Sequence, residues 1–177
     1  GVWHAGVYPE QRNQEVLVAQ SQLQLSEEEI NKLVNEARRL KKTGDYASAA
    51  SIWKQLAIWA EHNLGPEHPD TANILSNLAY LYNNQGLYKK AEPLYLRALS
   101  INEKALGPEH PDTATSLNNL AELYRSQGLY KQAEPLYQRA LAIAEKALGP
   151  EHPSTATSLN NLASLYDDQG LYKKAEP

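Results

Sequence analysis

Residues 106–121 read LGPEHPDTATSLNNLA, and the reading of this stretch decides the fold. Nearly the same words stand at 64–79, LGPEHPDTANILSNLA, and at 148–163, LGPEHPSTATSLNNLA, so the sequence repeats with a period of 42 residues. Between 106–135 and 148–177 only five of 30 positions differ. A fixed period of this length marks a stacked repeat array, because one unit cannot bury its apolar faces alone.

Each unit reads as two helices. Gly107 and Pro108 end the preceding helix, since glycine accepts a left-handed cap and proline cannot continue a helix. His110, Pro111 and Asp112 start the next one, with Pro at the first helical position and an acid near the positive end of the helix dipole. Leu117, Leu120, Ala121 and Tyr124 follow at i, i+3, i+4, i+7, the spacing of a buried stripe. Gln127-Gly128 breaks that helix. A second is predicted from about Lys131 to Ala147, with Ala133, Leu136, Tyr137, Ala140, Leu141 and Ala144 on its apolar side. Pro93, Pro135 and Pro177 fall near the first turn of second helices, where a late start or slight bend is expected.

A diverged unit precedes these. Ser26 to Glu29 forms a capping box. Leu33, Ala37 and Leu40 align with Leu117, Ala121 and Tyr124, and Gly44, Tyr46, Ala49 and Trp53 align with Gly128, Tyr130, Ala133 and Tyr137. The helix from Asp45 to Asn63 completes this unit. The expected organisation is an irregular or partly helical segment over residues 1–25, then an array over 26–177. Its units span about 27–68, 69–110, 111–152 and a truncated 153–177, or about three and a half in all.

Small residues at Ala121, Ala133 and Ala140, aromatics at Tyr124, Tyr130 and Tyr137, and Gly128 at the helix–helix turn resemble the tetratricopeptide repeat. The ordinary repeat has about 34 residues. The longer period here, with Leu-Gly-Pro-Glu-His-Pro followed by Ser-Leu-Asn-Asn-Leu-Ala, is similar to the variety in kinesin light chains and in bacterial, especially cyanobacterial, multidomain signalling proteins. The resemblance implies an all-α, right-handed α-solenoid of stacked antiparallel helix pairs. It also implies that first helices line a concave groove used for peptides or partner domains, with no catalytic activity in the repeat.

Comparing the units offers an independent check on that groove, against the competing reading that any solvent-exposed face drifts freely. Units two and three differ in the first helix at 73/115, 74/116, 76/118, 80/122, 83/125 and 84/126. All of these pairs except 74/116 lie on one face, opposite the Leu/Ala stripe. Beside the variable positions stand asparagines: Asn77, Asn118, Asn119, Asn160 and Asn161, with Asn35 equivalent in unit one. Asn lowers helix propensity, and its carboxamide matches the donors and acceptors of a peptide group. A row of them is expected to hold a bound chain by its backbone; the competing reading is hydrogen bonding between repeats. Specificity is assigned to the variable neighbours. Arg38, Lys41 and Lys42 make one end basic, Asn83 and Asn84 are neutral, Glu122 and Arg125 are mixed, and Asp167 and Asp168 make the other end acidic. Tyr80 is the candidate anchor.

Composition narrows the classes. The chain has 177 residues, a formal charge of −4, no Cys and no Met, a pI near 5.7 and a mean hydropathy of −0.59. An acidic balance argues against general nucleic-acid binding, and no run approaches the roughly 20 apolar residues of a membrane helix. Cysteine chemistry is excluded outright, although a Cys-free chain suits reducing and oxidising compartments equally; a cytoplasmic location is the expectation. His68, His110 and His152 recur one repeat apart, too far to share a metal, and are assigned to capping and loop packing. No cofactor is expected. No phosphate-binding glycine loop, HExxH or Ser/His/Asp pairing is present, and an enzymatic reading is poor.

The leading function is therefore a scaffold that binds a peptide or protein. Alternatives are a sensor or regulatory array of a larger signalling enzyme, and a self-associating element that dimerises through Leu159, Leu162 and Tyr166 at its open end. A chain that begins with Gly and stops as a second helix begins is expected to be a piece of something longer, reaching beyond Pro177.

Overall fold

The computed structural model describes residue 14 and residues 23–170. Among them are seven α-helices and no strands: α1 (Glu27–Lys42), α2 (Tyr46–Asn63), α3 (Pro69–Asn84), α4 (Tyr88–Leu106), α5 (Pro111–Ser126), α6 (Tyr130–Leu148) and α7 (Pro153–Asp168). Each helix packs on the one before and the one after it. First helices also meet across units, α3 with α5 and α5 with α7, whereas no two second helices approach as closely. The side on which neighbours converge is the inside of the curve. The chain is thus an all-α solenoid with first helices inside and second helices outside.

The repeated loop explains why the units restart in register. Gly107 has φ 103 and ψ 156, a backbone that glycine alone adopts without strain, and it caps α4. His110 is the N-cap of α5, and its Nδ1 accepts the backbone N–H of Asp112 at 3.0 Å. Pro111 occupies the first turn, where its missing N–H costs nothing. Thr113, fully buried, then donates its hydroxyl to the Gly107 carbonyl at 2.7 Å and closes the loop. The same contacts recur at His68 with Thr71 and at His152 with Thr155. These histidines cap helices, as their spacing implied. Ser26 and Glu29 form the reciprocal capping box at α1.

The prolines do not delay their helices, the first of the two outcomes expected of them. α4 and α6 begin at Tyr88 and Tyr130, five residues before Pro93 and Pro135, so neither helix starts late. The Leu87 carbonyl accepts from both Lys90 and Ala91 at 3.1 Å, which builds the first turn without the proline N–H. Both prolines are exposed, so the carbonyl left without its usual donor can turn to water.

Burial joins units rather than filling each one. Ala121 of α5, Ala133 and Tyr137 of α6 and Leu165 of α7 form one cluster, all at 0% exposure. Ala79, Ala91, Tyr95, Leu120 and Leu123 make the equivalent cluster one unit earlier. Of residues 1–25, Leu25 packs against the first core cluster and the Leu23 carbonyl accepts the Asn63 amide at 2.9 Å. The remaining expectations for that segment, except at residue 14, and for 171–177 lie outside the described residues.

Candidate partner-binding site

The inner face is built from α1, α3, α5 and α7, the helices that carry the variable positions. Arg38, Lys41 and Lys42 are exposed on α1. Lys41 reaches across the first seam, its Nζ 4.3 Å from the centroid of the Tyr80 ring on α3. That is cation–π distance, so Tyr80, the candidate anchor, is 42% exposed with one face already shaded by an ammonium group. Asn84 donates to the Tyr80 carbonyl at 2.8 Å. Asn83 is half-buried, and its Oδ1 is buried without a partner.

Further along, the charges are engaged with one another. Glu122 accepts the Tyr137 hydroxyl at 2.7 Å and one arm of Arg125 at 3.2 Å. Arg125 also bridges to Asp168 on α7. The hydrogen bond to Asp168 holds the Arg125 guanidinium protonated more firmly than usual, against a smaller opposing effect of burial. Asp167 is exposed beside it. Arg125 therefore ties two units together, and the mixed middle and acidic end of the expected gradient are partly neutralised from within. Of the three cations at the basic end, only Lys41 is engaged among the described residues, with an aromatic ring.

The asparagines divide into three groups. Asn77 donates to the Asn73 carbonyl of its own helix at 3.0 Å. Asn118 donates to Ser158 Oγ on the next first helix at 3.3 Å, the inter-repeat bond of the competing reading, while its Oδ1 is buried with no donor. Asn35, Asn119, Asn160 and Asn161 make no side-chain hydrogen bond among the described residues. Asn118, Asn119 and Asn161 line a cavity of about 220 Å³ between α5 and α7, floored by Ala144 and Leu148. Asn119 also borders a polar cavity of about 100 Å³ between α3 and α5, with Asn73 and Asn102. One residue thus faces both seams.

Two contributors escaped the sequence reading. Tyr95 and Tyr137 come from second helices, yet both reach the inner face. Burial, then the nearby Tyr80 and Glu122, push the Tyr95 hydroxyl well above the usual tyrosine range. Burial, then the bond to Glu122, do the same to Tyr137. The signal available was the residue type, because a tyrosine at a buried position needs a partner for its hydroxyl. Position 116, the exception to the variable face, is buried and accepts from Asn102 at 2.8 Å.

The open-end patch is smaller than expected. Leu159 is 44% exposed, but Leu162 is half-buried and Tyr166 is only 8% exposed, with its hydroxyl on Glu134 at 2.9 Å. Packing onto α6 covers Tyr166 from the preceding unit. Among the described residues no group of three or more His, Cys, Asp and Glu could hold a metal, and no helix is long and apolar enough to cross a membrane.

The tetratricopeptide-repeat family model matches residues 70–146 and 116–177, together more than half of the chain. No curated protein matches the chain in sequence. Among solved structures, the chain is similar to the nearly identical TPR-like repeats of a Podosopora anserina kinesin light chain candidate, at 27% identity and a TM-score of 0.70, covering 94% of this chain and 80% of that one. A single-substitution variant of those repeats superposes with a TM-score of 0.72, also at 27% identity, covering 94% of this chain and 79% of that one. BtubC (BKLC) from P. vanneervenii is similar at 27% identity and a TM-score of 0.68, over 92% of this chain and 68% of that one.

Proposed function

The chain belongs to the tetratricopeptide-repeat family, whose helix-pair arrays are generally protein–protein interaction scaffolds, and from that premise we propose that it holds an extended segment of a partner polypeptide along its inner face. The observation that carries this reading is the cavity between α5 and α7, where Asn118, Asn119 and Asn161 converge and the Asn118 Oδ1 is buried without a donor. A buried acceptor left unpaired costs about 1–3 kcal/mol. A peptide N–H entering the cavity would relieve that cost.

In this reading Asn119 bridges the two seams, and Asn35, Asn77, Asn160 and Asn161 continue the row toward both ends. Tyr80 takes an apolar side chain on its open face. The exposed cations Arg38 and Lys42 select acidic residues at the α1 end, while Asp167 favours a base at the other. Glu122, Arg125 and Asp168 shape the wall and contribute less charge than their number suggests, because they are paired. The similarity to kinesin-light-chain repeats supports a scaffold function and names no partner for this chain.

A pooled library of random unstructured peptides, panned against the chain and then titrated singly by fluorescence anisotropy, tests the reading. Selected peptides should weaken by about tenfold or more, the loss of about 1.4 kcal/mol, on the Asn119→Ala plus Tyr80→Ala variant. Peptides that bind this double variant as tightly as the parent would place the site elsewhere.

A further inference from the structure

On the outer face, a cavity of about 500 Å³ opens between α2 and α4, over a floor that includes Ala57, Leu75, Leu78 and Leu94. Ile58 stands at its edge, 42% exposed. The rim carries Lys54, Lys89, Lys90 and Arg97 against a single acid, Glu61, in a chain whose formal charge is −4. Arg97 and Glu61 pair with each other, which leaves the three lysines as the net charge of the rim. Lys90 Nζ lies 5.7 Å from the centroid of the Tyr82 ring, directed over the trough. Lys54 and Lys89 are exposed and make no ion pair among the described residues.

The next seam is an internal control. One period on, Leu99 stands in place of Ala57 and packs into the core. Leu96 replaces Lys54, Ser100 replaces Ile58, and Gln132 replaces Lys90. By contrast, the Glu61–Arg97 pair recurs as Glu103–Arg139, so that pair belongs to the common frame. The features that differ at the first junction act in one direction: a small residue deepens the trough, and extra lysines surround it.

We propose that this trough is a second docking site, independent of the inner groove, for an acidic amphipathic helix of a protein partner. An engineered cavity of about 150 Å³ holds a benzene-sized group, so this volume accepts about three apolar side chains. Three such residues at i, i+4 and i+7 form the ridge that fits between two helices. Carboxylates on either side of the ridge meet Lys54 on α2 and Lys89 and Lys90 on α4. Apolar burial supplies the affinity and the lysines choose an acidic partner.

The probe is a fluorescein-labelled peptide of about 18 residues, long enough to form a helix, with Leu at i, i+4 and i+7 and Glu on the flanks. Its anisotropy is titrated with the full chain. Ala57→Leu installs the residue of the next unit and should weaken binding by about tenfold or more. Lys54→Gln with Lys90→Gln, on exposed positions that leave the fold intact, should weaken it several-fold and flatten its salt dependence. A peptide with Lys for Glu should not bind, and Asn119→Ala plus Tyr80→Ala should leave binding unchanged. The proposal is overturned if the acidic peptide shows no saturable binding, if the lysine double variant binds as the parent does, or if the Asn119/Tyr80 variant abolishes binding.

Discussion

Replacing Ala121 with Leu tests the packing frame on which both sites rest. Ala121 is 0% exposed and shares its cluster with Ala133, Tyr137 and Leu165, each also at 0%. The three added carbons therefore meet α6 within the unit and α7 across the seam, with no solvent-filled edge to receive them. Overpacking of a closed site costs about 1–3 kcal/mol. In a domain of this size each kcal/mol moves the thermal midpoint by about 2–4 °C, so a fall of about 2–12 °C is expected in a circular dichroism melt. The equivalent residue one unit on, Ala163, is half-buried, and Ala163→Leu should shift the midpoint by less than half as much. A midpoint within about 1 °C of the parent for Ala121→Leu, or equal losses for the two variants, would refute the assignment of Ala121 to a closed inter-unit contact.

Two further measurements follow from the same packing. The buried bond from Asn102 to Ser116 should appear in a double-mutant cycle to Ala as a coupling of about 0.5–1.5 kcal/mol, and additivity within about 0.3 kcal/mol would show that it contributes nothing. Tyr95, Tyr124, Tyr137 and Tyr166 are all raised above the ordinary tyrosine pKa, chiefly by burial. Keeping them neutral stabilises the fold fully below the unfolded value of about 10, and this contribution is lost as pH rises past it, because unfolding then releases protons. The melting midpoint should fall steeply between about pH 9 and 11, with part of the 295 nm tyrosinate signal appearing only as helicity is lost; a flat midpoint would contradict the burial of these hydroxyls.

What the sequence disclosed and what it hid follow from the range of the contacts. The His110 cap, the Pro111 start and the Ser26–Glu29 box are made between residues two or three apart, so residue type and order suffice to read them. The late start expected at Pro93 failed because a proline inside the first turns removes one bond without preventing the turn before it from forming. The bonds that shape the inner face join residues separated by nearly one period: Asn118 to Ser158 across 40 positions and Arg125 to Asp168 across 43. Such pairs depend on how far one unit rotates on the next, which no single unit encodes. The outer trough went unread for a simpler reason. Comparing first helices finds the inner face, whereas the substitution of Ala57 for Leu99 lies on second helices.

A repeat array can be individual only where its units differ. The stretches 106–135 and 148–177 differ at five of 30 positions, and two of those, Arg125/Asp167 and Ser126/Asp168, feed the bridge from Arg125 to Asp168 that joins the units. This end of the solenoid uses its distinctive charges on itself. The first junction does the opposite: the diverged unit brings Arg38 and Lys42 exposed on the inside, the Lys41–Tyr80 contact across the seam, and Ala57 with Lys54 on the outside, opposite Lys90 of unit two. Both proposed surfaces therefore draw their selectivity from the same seam, while the nearly identical units behind it supply the backbone-holding row and the stiffness. Exchanging unit one for a copy of unit three should accordingly keep the fold and weaken selection at both faces, since Tyr80, Lys89 and Lys90 of unit two remain. Undiminished selectivity in that chimera would transfer the discriminating role to the later units.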